Sequence, residues 1–525
     1  MTPPPLTIAL LPLDERPVNT RYPAMLAEIA GAKVLLPPAE IRGHRRTPAD
    51  FGATAAWLRD AAAQADLGVI VSAEYLAYGN LINSRISDDS AADALGRLRI
   101  LEEIGVGGTP VYAFSLITRV SNADDSVEEP EYWATFGTRF YRYSALLHRR
   151  EAGALAPGDA DALAVLEAEI PLALRTDWLR RRLRNHAVNL ALLDLLARDG
   201  LAFLLLTSDD TSPWGLPSRE KAILEDWTRL LAEPTASRIM LHPGADEVGS
   251  ALVARLLAQK LLSAPPRILP VYAILGDEAL IAPYEDRAVR LTVEGQIRAC
   301  GGVVAVSEET ADIVLGVLTP SPGRREFRAD FADEERAART PAYRALFARL
   351  AADQRAGLPV ALADVAYPNG ADPLAIEMLL DPACPLDPSN LAAYGAWNTA
   401  GNTIGVVIAQ AVCTLPKGSD DPARRAAQRR FLTHRFLEDW GYQAVVRHSA
   451  REANRAAWGT SDPDPSHADQ VAAACREIQA GLDDALRRLQ ARGIGTGLEL
   501  APHSVSLPWS RTFEVDFDIA EIKTV

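Results

Sequence analysis

Cysteine is scarce. There are four in 525 residues (Cys300, Cys384, Cys413 and Cys475), far apart and with no CxxC pair. That excludes a zinc ribbon and a redox dithiol, and reduced, mostly buried thiols are expected. Histidine is nearly as rare, with eight in the chain and none in an HxH or HExxH arrangement, so no metal site announces itself by spacing. No apolar run reaches the roughly 18 to 20 residues that cross a bilayer, because charges or prolines interrupt each one. The opening MTPPPLTIALLPLDERP has neither a basic stretch nor a signal-type apolar core. A cytoplasmic location without a membrane partner is therefore expected. Positive charge is also lacking: the formal net charge is −15 and the arginines are interleaved with acids, which excludes nucleic acid as a partner. A GxSxG elbow and a GxxxxGKS/T loop are absent, which disfavours a serine hydrolase and a P-loop enzyme. The first apolar run leads into DERPVN and not into GxGxxG, so no glycine turn admits a dinucleotide pyrophosphate. No cofactor is expected.

What is present is a series of short apolar runs: TIALLPL, KVLLPP, LGVIVSA, PVYAFSL, AFLLLTS, RIMLHP, RILPVYAIL, DIVLGVL, PVALADV and LAAYGAW. They are too short for helices and do not alternate, which suits strands buried on both faces. Amphipathic stretches such as PADFGATAAWLRDAAAQA, SREKAILEDWTRLLAE and EVGSALVARLLAQKLL lie between many of them. Strand alternating with helix predicts an α/β protein with a mainly parallel sheet. Ten strands are two more than a (β/α)8 barrel uses, so the reading is a barrel-like catalytic region over 1–415, with two tandem doubly wound domains as the alternative. A helical excursion is expected at about 122–200, placed to roof the site, with a mainly helical subdomain over 416–525 that ends in the alternating run RTFEVDFDI.

In a parallel α/β fold, ligands meet the carboxyl ends of the strands. Seven polar clusters follow the apolar runs: Asp14, Glu15, Arg16 and Asn19; Glu74, Tyr75, Tyr78 and Asn80; Ser115 and Arg119; Asp209 and Asp210; His242, Asp246 and Glu247; Asp364, Tyr367 and Asn369; Trp397, Asn398, Thr399 and Asn402. Each has a structural reading beside the functional one. Asp246 is placed to cap the helix that follows it, whereas Ser218 is the better cap for the helix after Asp209 and Asp210, which leaves that pair for a ligand. Asp14 to Arg16 suit a local ion pair in a tight turn, and Trp397 suits a packing lid. An indole face beside amides is equally what a sugar ring requires. His242 with Asp209, Asp210, Asp246 and Glu247 offers a metal-ligand set only by residue type.

The motifs LPLDERPVN, SAEYLAYGNLINSR, TSDDTSPWG, HPGADEVG, DVAYPNGAD and AWNTAGNTIG together resemble a bacterial family labelled only as a domain of unknown function, over nearly the whole chain. Three fragments are also similar to substrate-assisted N-acetylhexosaminidases: TSDDT to an adjacent-aspartate motif, YGAWN to a Tyr-x-x-Trp-Asn motif, and HPGADEV to an HxGGDE motif in which Ala245 replaces the second glycine. The second likeness implies a glycoside hydrolase in which Asp209 orients the substrate acetamide and Asp210 protonates the leaving oxygen, or Asp246 and Glu247 do so. Adjacent carboxyls can divide two jobs at one bond when their environments separate their pKa values. The expected partner is a small, sugar-like substrate bound in one pocket, and a homo-oligomer stays open. The alternatives are a metal-dependent hydrolase using His242 and a non-catalytic small-ligand binding protein.

Overall fold

Each of the ten apolar runs forms a strand, as expected where continuous Val, Ile and Leu are covered on both faces. In this computed structural model, which describes residues 5–209, 212–321, 333–418 and 421–522, the strands are β1 (Leu6–Leu11), β2 (Ala32–Leu35), β3 (Gly68–Ser72), β4 (Val111–Ile117), β5 (Phe203–Ser208), β6 (Ile239–Pro243), β7 (Arg267–Tyr272), β8 (Val303–Val304), β9 (Ile313–Leu318), β10 (Val360–Asp364) and β11 (Ala393–Gly395). They lie in two sheets, of order β2-β1-β3-β4-β5-β6 and β11-β10-β9-β7-β8. The single barrel expected from the sequence is replaced by this pair. A (β/α)8 barrel adds each strand beside its predecessor, whereas here β2 lies outside β1 and β8 outside β7, so the direction of winding reverses within each sheet. Pairing is parallel from β1 through β3 and β4 to β6, and likewise among β7 to β11.

The chain divides into two units, one made of 1–15, 33–252 and 284–286, the other of 16–32, 253–283 and 287–525. In the first, Val69, Val71, Ala113, Leu204 and Leu206 of the sheet pack with Leu192, Leu195 and Leu196 of the helix Leu172–Ala197. Between β4 and β5 run three helices, Trp133–Glu151, Asp159–Glu169 and Leu172–Ala197. They close over a satellite core in which Trp133 stacks on Phe140 at 4.9 Å and Phe140 lies 5.0 Å from Trp178. The helix after β5 is Leu216–Leu230, so Ser218 falls in its first turn and not at its cap, and its hydroxyl donates to Ser212 O instead.

In the second unit, Val314, Leu318, Val360 and Leu362 share one core with Phe436, Trp440, Ile478, Leu482 and Phe517. The helices Pro422–Phe436, Arg447–Trp458 and Ala468–Gln490 belong to this unit, with a π-helical stretch Leu437–Val446 joining the first two. The run RTFEVDFDI forms less strand than its alternation predicts. Pairing is confined to β12 (Leu498–Leu500) with β13 (Ile519–Glu521) and to an isolated bridge between Ser506 and Asp516. Among the described residues, no helix is long and apolar enough to cross a membrane.

Candidate functional site

The amino-terminal sheet reverses direction between β1 and β3, the kind of point at which open parallel sheets bind ligands. Asp14 and Glu15 follow β1, and Glu74 and Tyr75 follow β3. Further along the same edge come Ser115 on β4 with Arg119 just beyond it, Asp209 after β5, and His242 with Asp246 and Glu247 at the end of β6. Asp210 lies outside the described residues.

Glu74 is buried, and its Oε1 accepts from Leu116 N at 2.7 Å and lies 2.8 Å from Ser115 Oγ, while Ser72 Oγ lies 3.2 Å from Oε2. Burial is the dominant effect and pushes the carboxyl up to about 7, against the pull of those donors. The hydrogen-bond pattern points the same way. Ser115 Oγ is also 2.6 Å from Asn189 Oδ1, and one hydroxyl proton serves one acceptor, so with Asn189 in this orientation a protonated Glu74 supplies the missing hydrogen.

Asp209 is held differently. Arg85 Nη2 donates to its Oδ2 at 2.6 Å, and Arg85 Nη1 is 3.0 Å from Glu128 and 3.6 Å from Glu129. Arg119 reaches the same two acids at 3.0 and 3.4 Å. Arg85, Glu128 and Glu129 were not picked out from the sequence: the arginine sits on the short helix Leu81–Ile86 and the acids in a loop, without a shared motif. Glu15 lies 3.0 Å from His44 Nδ1 and accepts from Arg45 N at 2.8 Å. Asn80 caps the helix Leu81–Ile86 through Asn83 N, and its amide donates to Arg45 O and Thr47 O. Tyr78 stacks under the Arg184 guanidinium at 4.5 Å.

At β6, His242 Nδ1 lies 2.6 Å from Pro243 O, and Ala245 N donates to Glu247 Oε2 at 3.0 Å. Gly244 has φ of 127°, and a Cβ there would come within 1.9 Å of Glu247 Oε1, so glycine is what lets the loop fold over this carboxyl. Asp246 and Glu247 are both buried. Among the described residues, no group of three His, Cys, Asp or Glu side chains is arranged to hold a metal ion.

The long helix Leu172–Ala197 fixes this edge from the side. Arg182 donates to Glu220 and to Thr118 O, Arg184 to Ser84 O and Ser87 O, and Asn185 to Ser84 O and Thr118 Oγ1. These bonds tie the loops after β3 and β4 in one conformation.

In the carboxy-terminal unit the winding reverses between β7 and β9, where Thr319 Oγ1 donates to Asp277 Oδ2 at 3.3 Å. Neither residue stood out in the sequence, because Asp277 begins a short 3-10 turn that reads as a loop. Asp364, the last residue of β10, is buried and accepts from Asp372 N at 2.7 Å, and Asp372 accepts from Tyr343 Oη at 2.8 Å. Burial raises both carboxyls. Tyr367 lies against Arg339, whose guanidinium is 5.3 Å from the ring. Asn369 and Asn398 both take left-handed backbone, with φ of 61° and 63°, and Asn369 N donates to Asn398 O at 2.9 Å. Trp397 is buried beside Phe513 at 6.1 Å, and its Nε1 has no hydrogen-bond partner among the described residues. Asn402 is buried in the first turn of Ala400–Cys413. Arg16 lies 3.7 Å from Glu514 and 4.7 Å from the Trp509 ring, and Asn19 is buried one turn later in the helix Pro17–Ile29.

A second, unanticipated cluster braces these loops. Arg435 Nη2 donates to Glu438 at 2.5 Å and Asp439 at 2.8 Å, and Tyr22 Oη also bonds Glu438. Asp439 then accepts from Ala396 N through its side chain and from Ala371 N through its carbonyl. The π-helical stretch thus pins the loops after β10 and β11 together.

A family model described as "Protein of unknown function (DUF4127)" matches residues 8–518. No curated protein and no solved structure gives a significant match.

Proposed function

The chain therefore belongs to that family of unknown function, and we propose that its amino-terminal sheet carries a hydrolytic site for a small polyhydroxylated substrate, of glycoside type. The supporting observation is the placement of Asp14, Glu15, Glu74, Asp209, His242, Asp246 and Glu247 after four strands along one sheet edge. An edge so rich in acceptors suits a neutral ligand whose hydroxyls donate, and disfavours phosphorylated ones. In this reading Asp246 orients the substrate and Glu247 protonates the leaving oxygen, the roles that the HPGADEV likeness implies. Asp209, tied to Arg85, serves as a fixed acceptor for substrate hydroxyls. Glu74 stands behind the loop and holds β3 against β4.

The test is turnover of chromogenic N-acetylhexosaminides and hexosides by the full chain, with and without a chelator. Turnover should survive the chelator, and Asp246→Asn or Glu247→Gln should lower it by about 100-fold or more. Loss with chelator would favour a metal-dependent hydrolase using His242. Ligand binding without turnover on any glycoside would make this a binding protein and end the hydrolase reading.

A further inference from the structure

Over its first five turns the helix Leu172–Ala197 buries a mixed face, with Trp178 and Val188 among polar side chains, and exposes leucines. Arg182, Arg184, Asn185 and Asn189 are buried, while Leu172, Leu179, Leu183 and Leu190 are 68, 36, 70 and 36% exposed. Offsets of 7, 11 and 18 residues, at about 100° per residue, put the four leucines within about 40° of one another. Isolated exposed leucines need no explanation, but a continuous stripe along one helix does. Beside the stripe runs a groove of about 520 Å³ bounded by Asp89, Thr176, Leu179, Arg180, Leu183 and Arg184.

We propose that the part of this stripe from Leu179 to Leu190 is the two-fold interface of a homodimer, in which the helix packs antiparallel against its copy. The helix is complementary to itself in one register. If Ala187 sits on the axis, residues whose numbers sum to about 374 face each other. Leu183 then meets Leu190 of the second copy, and Leu190 of the second copy enters the groove between Leu179 and Leu183. Arg180, 60% exposed, meets Asp194 of the second copy, 66% exposed. Ala187, half-buried and small, lets the backbones approach where the helices cross. Within their own chain Arg180 now pairs with Asp177 and the exposed Asp88, and Asp194 with the exposed Arg198, and surface pairs of this kind are exchanged at little cost. Because the opposite face of the same helix ties down the loops after β3 and β4, the interface also backs the candidate site.

Sedimentation of the full chain at micromolar concentration should show a dimer. Leu183→Glu should weaken it by at least about 30-fold, with an unchanged circular-dichroism spectrum, since the side chain is exposed. Arg180→Asp should weaken it, and adding Asp194→Arg should restore it. Ala187→Cys should form a covalent dimer on mild oxidation, which reports the register even if another variant folds poorly. A monomeric wild-type chain, whether or not the stripe binds vesicles or another protein, overturns the proposal. So does a dimer that survives Leu183→Glu, or an Ala187→Cys chain that does not cross-link.

Discussion

The two sheet units share one winding pattern and differ in how the arginines beside their acids are bonded. In the carboxy-terminal unit, Glu438 and Asp439 are enclosed with Arg435 and Tyr22, and Asp439 spends its remaining acceptors on the backbone of loops after β10 and β11. These acids are scaffolding. In the amino-terminal unit, the acids stand at strand ends, and the arginines that neutralise them are shared among several carboxylates.

The sharpest way to break that contrast is Arg435→Met. It leaves Glu438 and Asp439 buried without their cation, and the loss of one partner of a buried pair typically costs about 3 to 5 kcal/mol. Urea denaturation should show a loss of that size; a loss under about 1 kcal/mol would mean that the cluster is not a brace. Arg85→Met is the matching change in the other unit. There Arg119 still reaches Glu128 and Glu129, so mainly Asp209 is orphaned and the expected cost falls to about 1 to 3 kcal/mol. Under the hydrolase reading this variant also loses substrate affinity, because Asp209 loses its orientation. Equal stability losses at the two arginines would erase the distinction.

Glu74 sharpens the comparison through pH. Its folded pKa, about 7, lies above the unfolded carboxyl value, so the folded state holds the proton more tightly. The associated stability is fully present below the unfolded pKa and is lost as pH rises through about 7, which amounts to at most about 3 kcal/mol. Glu74→Gln keeps a neutral hydrogen-bonding side chain, so melting curves between pH 5 and 8 should be flatter than those of the wild type. A variant with the same pH dependence as the parent would place the titration elsewhere.

Much of the architecture was written in local pattern. Ten apolar runs, from Thr7–Leu13 to Leu391–Trp397, coincide with ten strands because strands covered on both faces need continuous branched residues. β8 was missed, since two valines at Val303–Val304 make no run. The split into two sheets was read only as the alternative to a barrel, because nothing in KVLLPP says that β2 lies outside β1. Site residues that directly follow a run, such as Asp14 and Asp209, or close one, such as Asp364, were legible from position alone. Arg85 and Glu128 were not, as they meet through the tertiary fold from a helix and a loop. Arg435, Glu438 and Asp439 lie in the charged run ARRAAQRRFLTHRFLEDW, within the mainly helical subdomain expected over 416–525. Their spacing of three and four was the available signal, and only the burial of Phe431, Leu432 and Phe436 around them shows which face turns inward.

The smallest expected effect concerns the backbone of the carboxy-terminal edge. Asn369 takes φ of 61° while its N–H donates to Asn398 O, so the loops after β10 and β11 meet through a residue in left-handed conformation. Asparagine tolerates that region and glycine adopts it freely, whereas a β-branched residue is disfavoured there by about 1 to 2 kcal/mol. Asn369→Gly should therefore leave the urea midpoint nearly unchanged, and Asn369→Val should lower stability by about that amount. If the glycine variant were as destabilised as the valine variant, the amide side chain and not the backbone would be what this loop requires. The carboxy-terminal edge would then carry a polar group with work to do, and the contrast with the amino-terminal edge would narrow.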